Sequence, residues 1–92
     1  MTAVTVYSTG TCPWCVQAEN LLKRVGATVE KIRVDQSDTQ LESMITRSGR
    51  RTVPQIFVGD VHIGGFNDLV AYEQSGELLK LINNSYHSSE LS

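Results

Sequence analysis

The stretch Ala3-Val4-Thr5-Val6-Tyr7-Ser8-Thr9-Gly10-Thr11-Cys12-Pro13-Trp14-Cys15 decides the architecture. Its first five residues are rich in β-branched side chains and predict a short strand. Ser8 to Thr11 are turn formers and predict a loop. A helix is expected from Pro13 to about Val25. Proline suits the first helical position, and Gly26 suits the residue just past the end. Cys15, Ala18, Leu22 and Val25 then share one face with Leu21 beside them, and Gln17, Glu19, Asn20, Lys23 and Arg24 form the polar face.

Outward from this unit, Thr28 to Val34 reads as a second strand, with Ile32 and Val34 on one face and Val29 on the other. Ser37-Asp38-Thr39-Gln40 has the form of a capping box and opens a second helix, whose buried stripe is Leu41, Met44 and Ile45 and whose stop is Gly49. Strand, helix, strand, helix is the pattern of a parallel pair. The chain then changes style. Gln55-Ile56-Phe57-Val58 and Val61-His62-Ile63 are strands joined by Gly59-Asp60, and glycine first fits a tight type II′ hairpin. After Gly64-Gly65, Asn67 is the expected N-cap of a helix through about Glu73. A last short helix is expected from Glu77 to Asn83. Residues 84–92 are polar and aperiodic and read as a flexible C-terminal tail after a single domain over 1–83.

Cys12 and Cys15 are the only cysteines of the 92 residues. The loop they would close is too short to staple a fold, and one pair is no secreted-type disulfide framework. At a strand–loop–helix junction the pair reads as redox chemistry. Cys12 falls at the N-cap, where the unpaired N–H groups of the first turn and the positive helix end favour a thiolate. Cys15 lies one turn deeper and faces back. That geometry suits attack on a disulfide by Cys12, followed by attack of Cys15 on the mixed disulfide. A structural zinc site needs four ligands. His62 and His87 are the only histidines and lack finger-like spacing, so no metal is expected.

Composition narrows the setting. Hydrophobic residues make up 40% and charged residues 20%, as in ordinary globular domains. The net charge of −2 argues against a nucleic-acid partner. No apolar stretch approaches membrane-spanning length, and the N-terminus has no signal-like pattern, so a cytoplasmic protein without a membrane partner is expected. Arg47, Arg50 and Arg51 cluster locally. They suit either a solvated helix end favoured by its dipole or the holding of a small anion.

Two further segments matter. Thr52-Val53-Pro54 precedes a strand, where proline is tolerated. Gly64-Gly65-Phe66-Asn67-Asp68 leads into a helix, allowing either a plain strand-to-helix turn or close backbone approach and carboxylate binding at the helix start. Together Cys12-Pro13-Trp14-Cys15, Thr52-Val53-Pro54, and Gly64-Gly65 followed by Asp68 resemble the glutaredoxin family, in family order and spacing, from about Val4 to Ile82. The resemblance implies an α/β thioredoxin fold, a four-stranded mixed sheet flanked by helices. It implies glutathione-dependent reduction of protein disulfides and of glutathione mixed disulfides, with Cys12 as nucleophile and Cys15 as resolving thiol. Glutathione would be a co-substrate, no cofactor would be bound permanently, and the protein would act as a monomer on disulfide-containing or glutathionylated proteins.

The same resemblance implies a cis Val53–Pro54 bond that brings the Val53 backbone beside Cys12 to pair with the cysteinyl part of glutathione. The helix start at Asn67-Asp68 would receive the γ-glutamyl carboxylate, and Asp68 would meet the ammonium. Trp14 would flank the cleft, with Thr52, Pro54 and Gly65 completing it. Departures from the family pattern are Trp14 in place of tyrosine, Phe66 where a third cysteine or small polar residue is common, and Thr9 where many members have a lysine. The last shifts the expected contact with the glycine carboxylate to an arginine, Arg51 first. The alternatives are a thioredoxin-type reductase, which the Gly64-Gly65 segment speaks against, and a carrier of a shared [2Fe–2S] cluster, which Pro13 and Cys15 disfavour.

Overall fold

The computed structural model describes residues 3–82. Its elements are β1 (Ala3–Ser8), α1 (Pro13–Arg24), β2 (Thr28–Arg33), α2 (Asp38–Ser48), β3 (Gln55–Val58), β4 (Val61–Gly64) and α3 (Phe66–Gln74). A further helical stretch covers 77–82. The expected tail, Asn83 at the end of the last helix, and His87 lie outside the described residues.

The strands form one mixed sheet in the order β2-β1-β3-β4. β1 and β2 run parallel, while β3 is antiparallel to both β1 and β4. Side-chain alternation along each strand sorts the core into two layers. On one face Val4, Val6, Ile56, Val58 and Ile63 pack against Ala18, Leu21, Leu22, Leu69, Leu78 and Ile82 from the helices. On the other, Tyr7, Phe57 and Val34 pack against Met44, with Leu41 and Ile45 partly buried beside them. Leu22 is fully buried in the first layer, so Leu22→Ala would cost about 2–5 kcal/mol.

Local signals account for most boundaries. Gly26, at φ 88°, stands just beyond the Val25 cap of α1. Ser37 Oγ accepts the Gln40 N–H at 3.3 Å, and Gly49 caps α2 at φ 71°. Gly59 has φ 58°, and no non-glycine residue among those described has positive φ, which fits the type II′ hairpin. β2 ends at Arg33, one residue before the expected Val34. Val34 still lies in the α2-facing layer, with Ile32 packed against it and Val29 in the opposite one.

The start of α3 is a correction. Gly65, not Asn67, is the N-cap. Asp68, three residues on, reaches back and accepts the Gly65 N–H at 3.0 Å. That bond is the reverse half of a capping box; glycine has no side chain to make the forward half, so no cap side chain accepts the N–H groups of the first turn. Asn67 sits within the first turn. Gly64 is the glycine that the geometry demands: its φ is 119°, and a Cβ there would run into the Asp68 carboxylate. At Gly65 a Cβ would meet the Pro54 carbonyl only at ordinary contact distance, 3.6 Å.

Candidate active site

The site forms where α1 begins, because β1 delivers the chain into a short loop that must turn into the helix. A fixed clamp shapes this loop. Asp35 accepts two hydrogen bonds from Arg33, from Nε and Nη2, both at 2.8 Å, and its Oδ2 also takes the Gly10 N–H at 3.1 Å. The Arg33 guanidinium, helped by the Gly10 N–H, holds the Asp35 carboxyl well below the usual carboxylate range. A side chain at Gly10 would collide with that guanidinium. Arg33 and Asp35 are only two positions apart, but the Gly10–Asp35 bond that gives the pair its role spans 25, so neither residue stands out in the sequence.

Cys12 caps α1 with extended backbone, φ −103° and ψ 104°, and Pro13 follows it. Its Sγ accepts the Cys15 N–H at 3.2 Å. On its other side, Cys12 Sγ donates to the Val53 carbonyl at 3.9 Å. Both cysteines are free; Cys12 is partly exposed and Cys15 is buried. Burial first, and then the hydrogen bond with Cys12, push the Cys15 thiol up to about 12. The two sulfurs are thus different in kind: one reachable with a donor aimed at it, the other held protonated behind it.

Beside Cys12 lies an open cleft of about 260 Å³. Thr52, Val53 and Pro54 form one wall, with the Val53–Pro54 bond cis. Gly65, Phe66 and Asn67 form the opposite wall, and Trp14 stands at the rim. Trp14 is 59% exposed and its ring lies 5.3 Å from that of Phe66. Of the expected site residues, Trp14, Thr52, Val53, Pro54, Gly65 and Asn67 therefore come together. Asp68 lies one residue past this wall. Its carboxylate is already engaged, by the Gly65 N–H and by an ion pair with Arg50 Nη1 at 3.3 Å.

The three arginines separate. Arg47 is structural: it donates to the Tyr7 hydroxyl at 2.8 Å and lies 4.1 Å over the Phe57 ring. Arg50 is the arginine on Asp68. Arg51 is exposed, does not line the cleft, and its guanidinium makes no hydrogen bond or ion pair with the described residues. Phe66, in the sequence only a departure from the family pattern, is part of the wall. Gln55 and His62 lie behind the Thr52 wall, Gln55 bonded to Thr52 and His62 to Gln55; in the sequence Gln55 marks only a strand position, and His62 only that and a poorly spaced metal ligand. Among the described residues, no three His, Cys, Asp or Glu side chains gather in a way that could hold a metal ion.

The arrangement is similar to known proteins. The glutaredoxin family model matches residues 4–63. A glutaredoxin of Neisseria meningitidis is 44% identical over 84 residues, covering 90% of this chain and 99% of that protein. Glutaredoxin 3 of Escherichia coli is 43% identical over 82 residues, covering 89% and 99%. Among solved structures, a buckwheat glutaredoxin–glutathione complex superposes with a TM-score of 0.80 at 28% identity, covering 88% of this chain and 76% of that one.

Proposed function

This chain belongs to the glutaredoxin family and is a glutathione-dependent thiol–disulfide oxidoreductase, and from that premise we propose that Cys12 is its nucleophile and Cys15 its resolving thiol. The observation that carries the assignment is the contrast between the two sulfurs. Cys12 Sγ is partly exposed and accepts a helix-start N–H, whereas Cys15 is buried and held in the thiol form.

The chemistry runs in balanced exchanges. The Cys12 thiolate attacks one sulfur of a substrate disulfide. A Cys12–S bond forms, the substrate S–S bond breaks, and the other sulfur leaves as a thiolate that takes up a proton. With a glutathionylated protein, Cys12 takes the glutathione and frees the protein thiol. A second glutathione thiolate then attacks the bound glutathione sulfur, releasing glutathione disulfide and regenerating Cys12. With a protein disulfide, Cys15 gives up its proton and attacks Cys12, expelling the substrate and leaving a Cys12–Cys15 disulfide. Two glutathiones reduce that bond and leave as their disulfide. The buried Cys15 thiol suits this late role, because it becomes nucleophilic only as its proton is removed.

Glutathione would lie along the cleft as a short strand. The Val53 backbone would pair with its cysteinyl part, Thr52, Pro54, Trp14 and Gly65 would enclose it, and the first turn of α3 at Asn67-Asp68 would take its γ-glutamyl end. Arg51 would attract the glycine carboxylate. Glutathione serves as co-substrate with no resident cofactor. Both cysteines and both cleft walls come from one chain, which suits a monomer. A dithiol working with a glutathione pool suits a reducing compartment, the cytoplasm. No described helix is long and apolar enough to cross a membrane. The deciding experiment is turnover of a glutathione–peptide mixed disulfide with reduced glutathione as the only electron source. Activity that persists with thioredoxin reductase and NADPH but is absent with glutathione would overturn the reading.

A further inference from the structure

Gln55 is fully buried at the start of β3, directly after the Val53–Pro54 bond. Its Nε2 donates to the Thr52 carbonyl at 3.0 Å and to Thr52 Oγ1 at 3.1 Å. Its Oε1 lies 2.7 Å from His62 Nε2. The Thr52 carbonyl can only accept, so the amide must turn its NH₂ toward Thr52 and its oxygen toward His62. His62 Nε2 therefore carries the proton and donates. The ring that makes this bond is itself held, stacked on Phe57 at 4.8 Å between centroids and 28° between planes. Burial, with Arg50 and Arg47 opposing Asp68, lowers the histidine from its ordinary value.

The chain of bonds ends at the cleft. The Thr52–Val53 peptide is trans, so its N–H points opposite to its carbonyl. Anchoring the Thr52 carbonyl inward on a buried amide turns the Val53 N–H away from the core, toward the cleft that Val53 lines. The Val53 carbonyl faces Cys12.

We infer that His62 is a positioning residue, which through Gln55 fixes the Thr52–Val53 peptide plane and so aims the Val53 N–H at the peptide backbone of the bound thiol. The inference rests on the glutathione-site reading above. Without the His62 donor, Gln55 Oε1 would be buried without a partner, and the amide could relax only by releasing Thr52.

The test uses the full chain and reduced glutathione. His62→Phe keeps a ring against Phe57 and removes the donor; His62→Gln keeps a donor. His62→Phe should raise the KM for glutathione about three- to tenfold while kcat changes less than about twofold, and His62→Gln should stay within about twofold of wild type in both. In wild type, ¹⁵N spectra should show the Nε2–H tautomer at neutral pH, a measurement that needs no variant. A KM unchanged in His62→Phe, an equal rise in both variants, or an Nδ1–H tautomer would each overturn the inference. The underlying reading fails separately, and the inference with it, if glutathione does not shift the Val53 amide resonance of the wild-type protein. If that resonance responds alike in wild type and His62→Phe, the inference alone falls.

Discussion

Cys12 Sγ accepts the backbone N–H of Cys15 at 3.2 Å, so the residue proposed to resolve the reaction also supplies, from its main chain, a donor to the sulfur proposed to begin it. The same turn buries the Cys15 thiol to 3% exposure and pushes it up to about 12. Reactivity is thereby divided within one helical turn. At pH 7, one equivalent of iodoacetamide should label Cys12 and leave Cys15 free until the protein is unfolded. Peptide mapping by mass spectrometry checks this, and equal labelling of the two would contradict the division.

The proposed roles separate two activities. Cys12→Ser should abolish both reduction of a protein disulfide and removal of glutathione from a peptide. Cys15→Ser should cripple the first and retain the second, because glutathione itself completes that cycle. The two variants are best assayed side by side on a glutathionylated peptide and a protein disulfide. Loss of deglutathionylation in Cys15→Ser as complete as in Cys12→Ser would remove Cys15 from a purely resolving role.

Arg50 and Arg51 should act in opposite directions. Arg51→Ala is expected to raise the KM for glutathione several-fold, the effect of one partly exposed charge-assisted contact of about 1 kcal/mol. Arg50 occupies Asp68 in the free protein, so Arg50→Ala should release the carboxylate for an incoming ammonium and lower the KM, by up to about fivefold for an exposed pair. Steady-state kinetics with glutathione as the varied substrate decides. The reverse order would transfer the carboxylate contact to Arg50.

Asp68 has two separable duties. Its oxygen caps the Gly65 N–H, and its charge is available to a cation. Asp68→Ala should destabilise the protein by about 1 kcal/mol and raise the KM. Asp68→Asn keeps an acceptor for the cap, so it should remain near wild-type stability while still raising the KM. Urea unfolding paired with kinetics reads both; a destabilised Asp68→Asn with normal KM would confine Asp68 to the fold.

Acid should weaken the loop that precedes Cys12. Arg33 holds the Asp35 carboxyl low in the folded state, whereas the unfolded chain takes up its proton near the ordinary value of about 3.9. The contribution of Asp35 is therefore present above that value and is lost as pH falls below it toward the folded-state value. Thermal scans should show wild type above Asp35→Asn at pH 6, with the gap closing as the pH drops below about 4. A gap that is constant with pH would assign the effect to packing of the Gly10 loop.

Features that depend on neighbours a few residues apart were legible before any folding was considered. The helix start at Cys12-Pro13, the αL glycines that end α1 and α2, the Gly59-Asp60 hairpin, and the strand alternation that sorts Val29 from Ile32 are all short-range, and their order reached the parallel pair and the antiparallel hairpin, while the joined four-stranded sheet followed from the resemblance to the glutaredoxin family. Within the α3 start, the local rule favoured Asn67 as cap. The structure uses Gly65, which takes the extended backbone of a cap and whose N–H the Asp68 carboxylate, three positions on, accepts. Pairings across the sheet and between loops had no such local signal and were set by packing. Which arginine meets Asp68, which carboxylate clamps Gly10, and that Gln55 links His62 to Thr52 depend on register and on where each chain turn comes to rest. Hydrogen bonds and ion pairs act over a few ångströms of space. Between residues 18 or 25 positions apart, that distance exists only once the hydrophobic layers have packed.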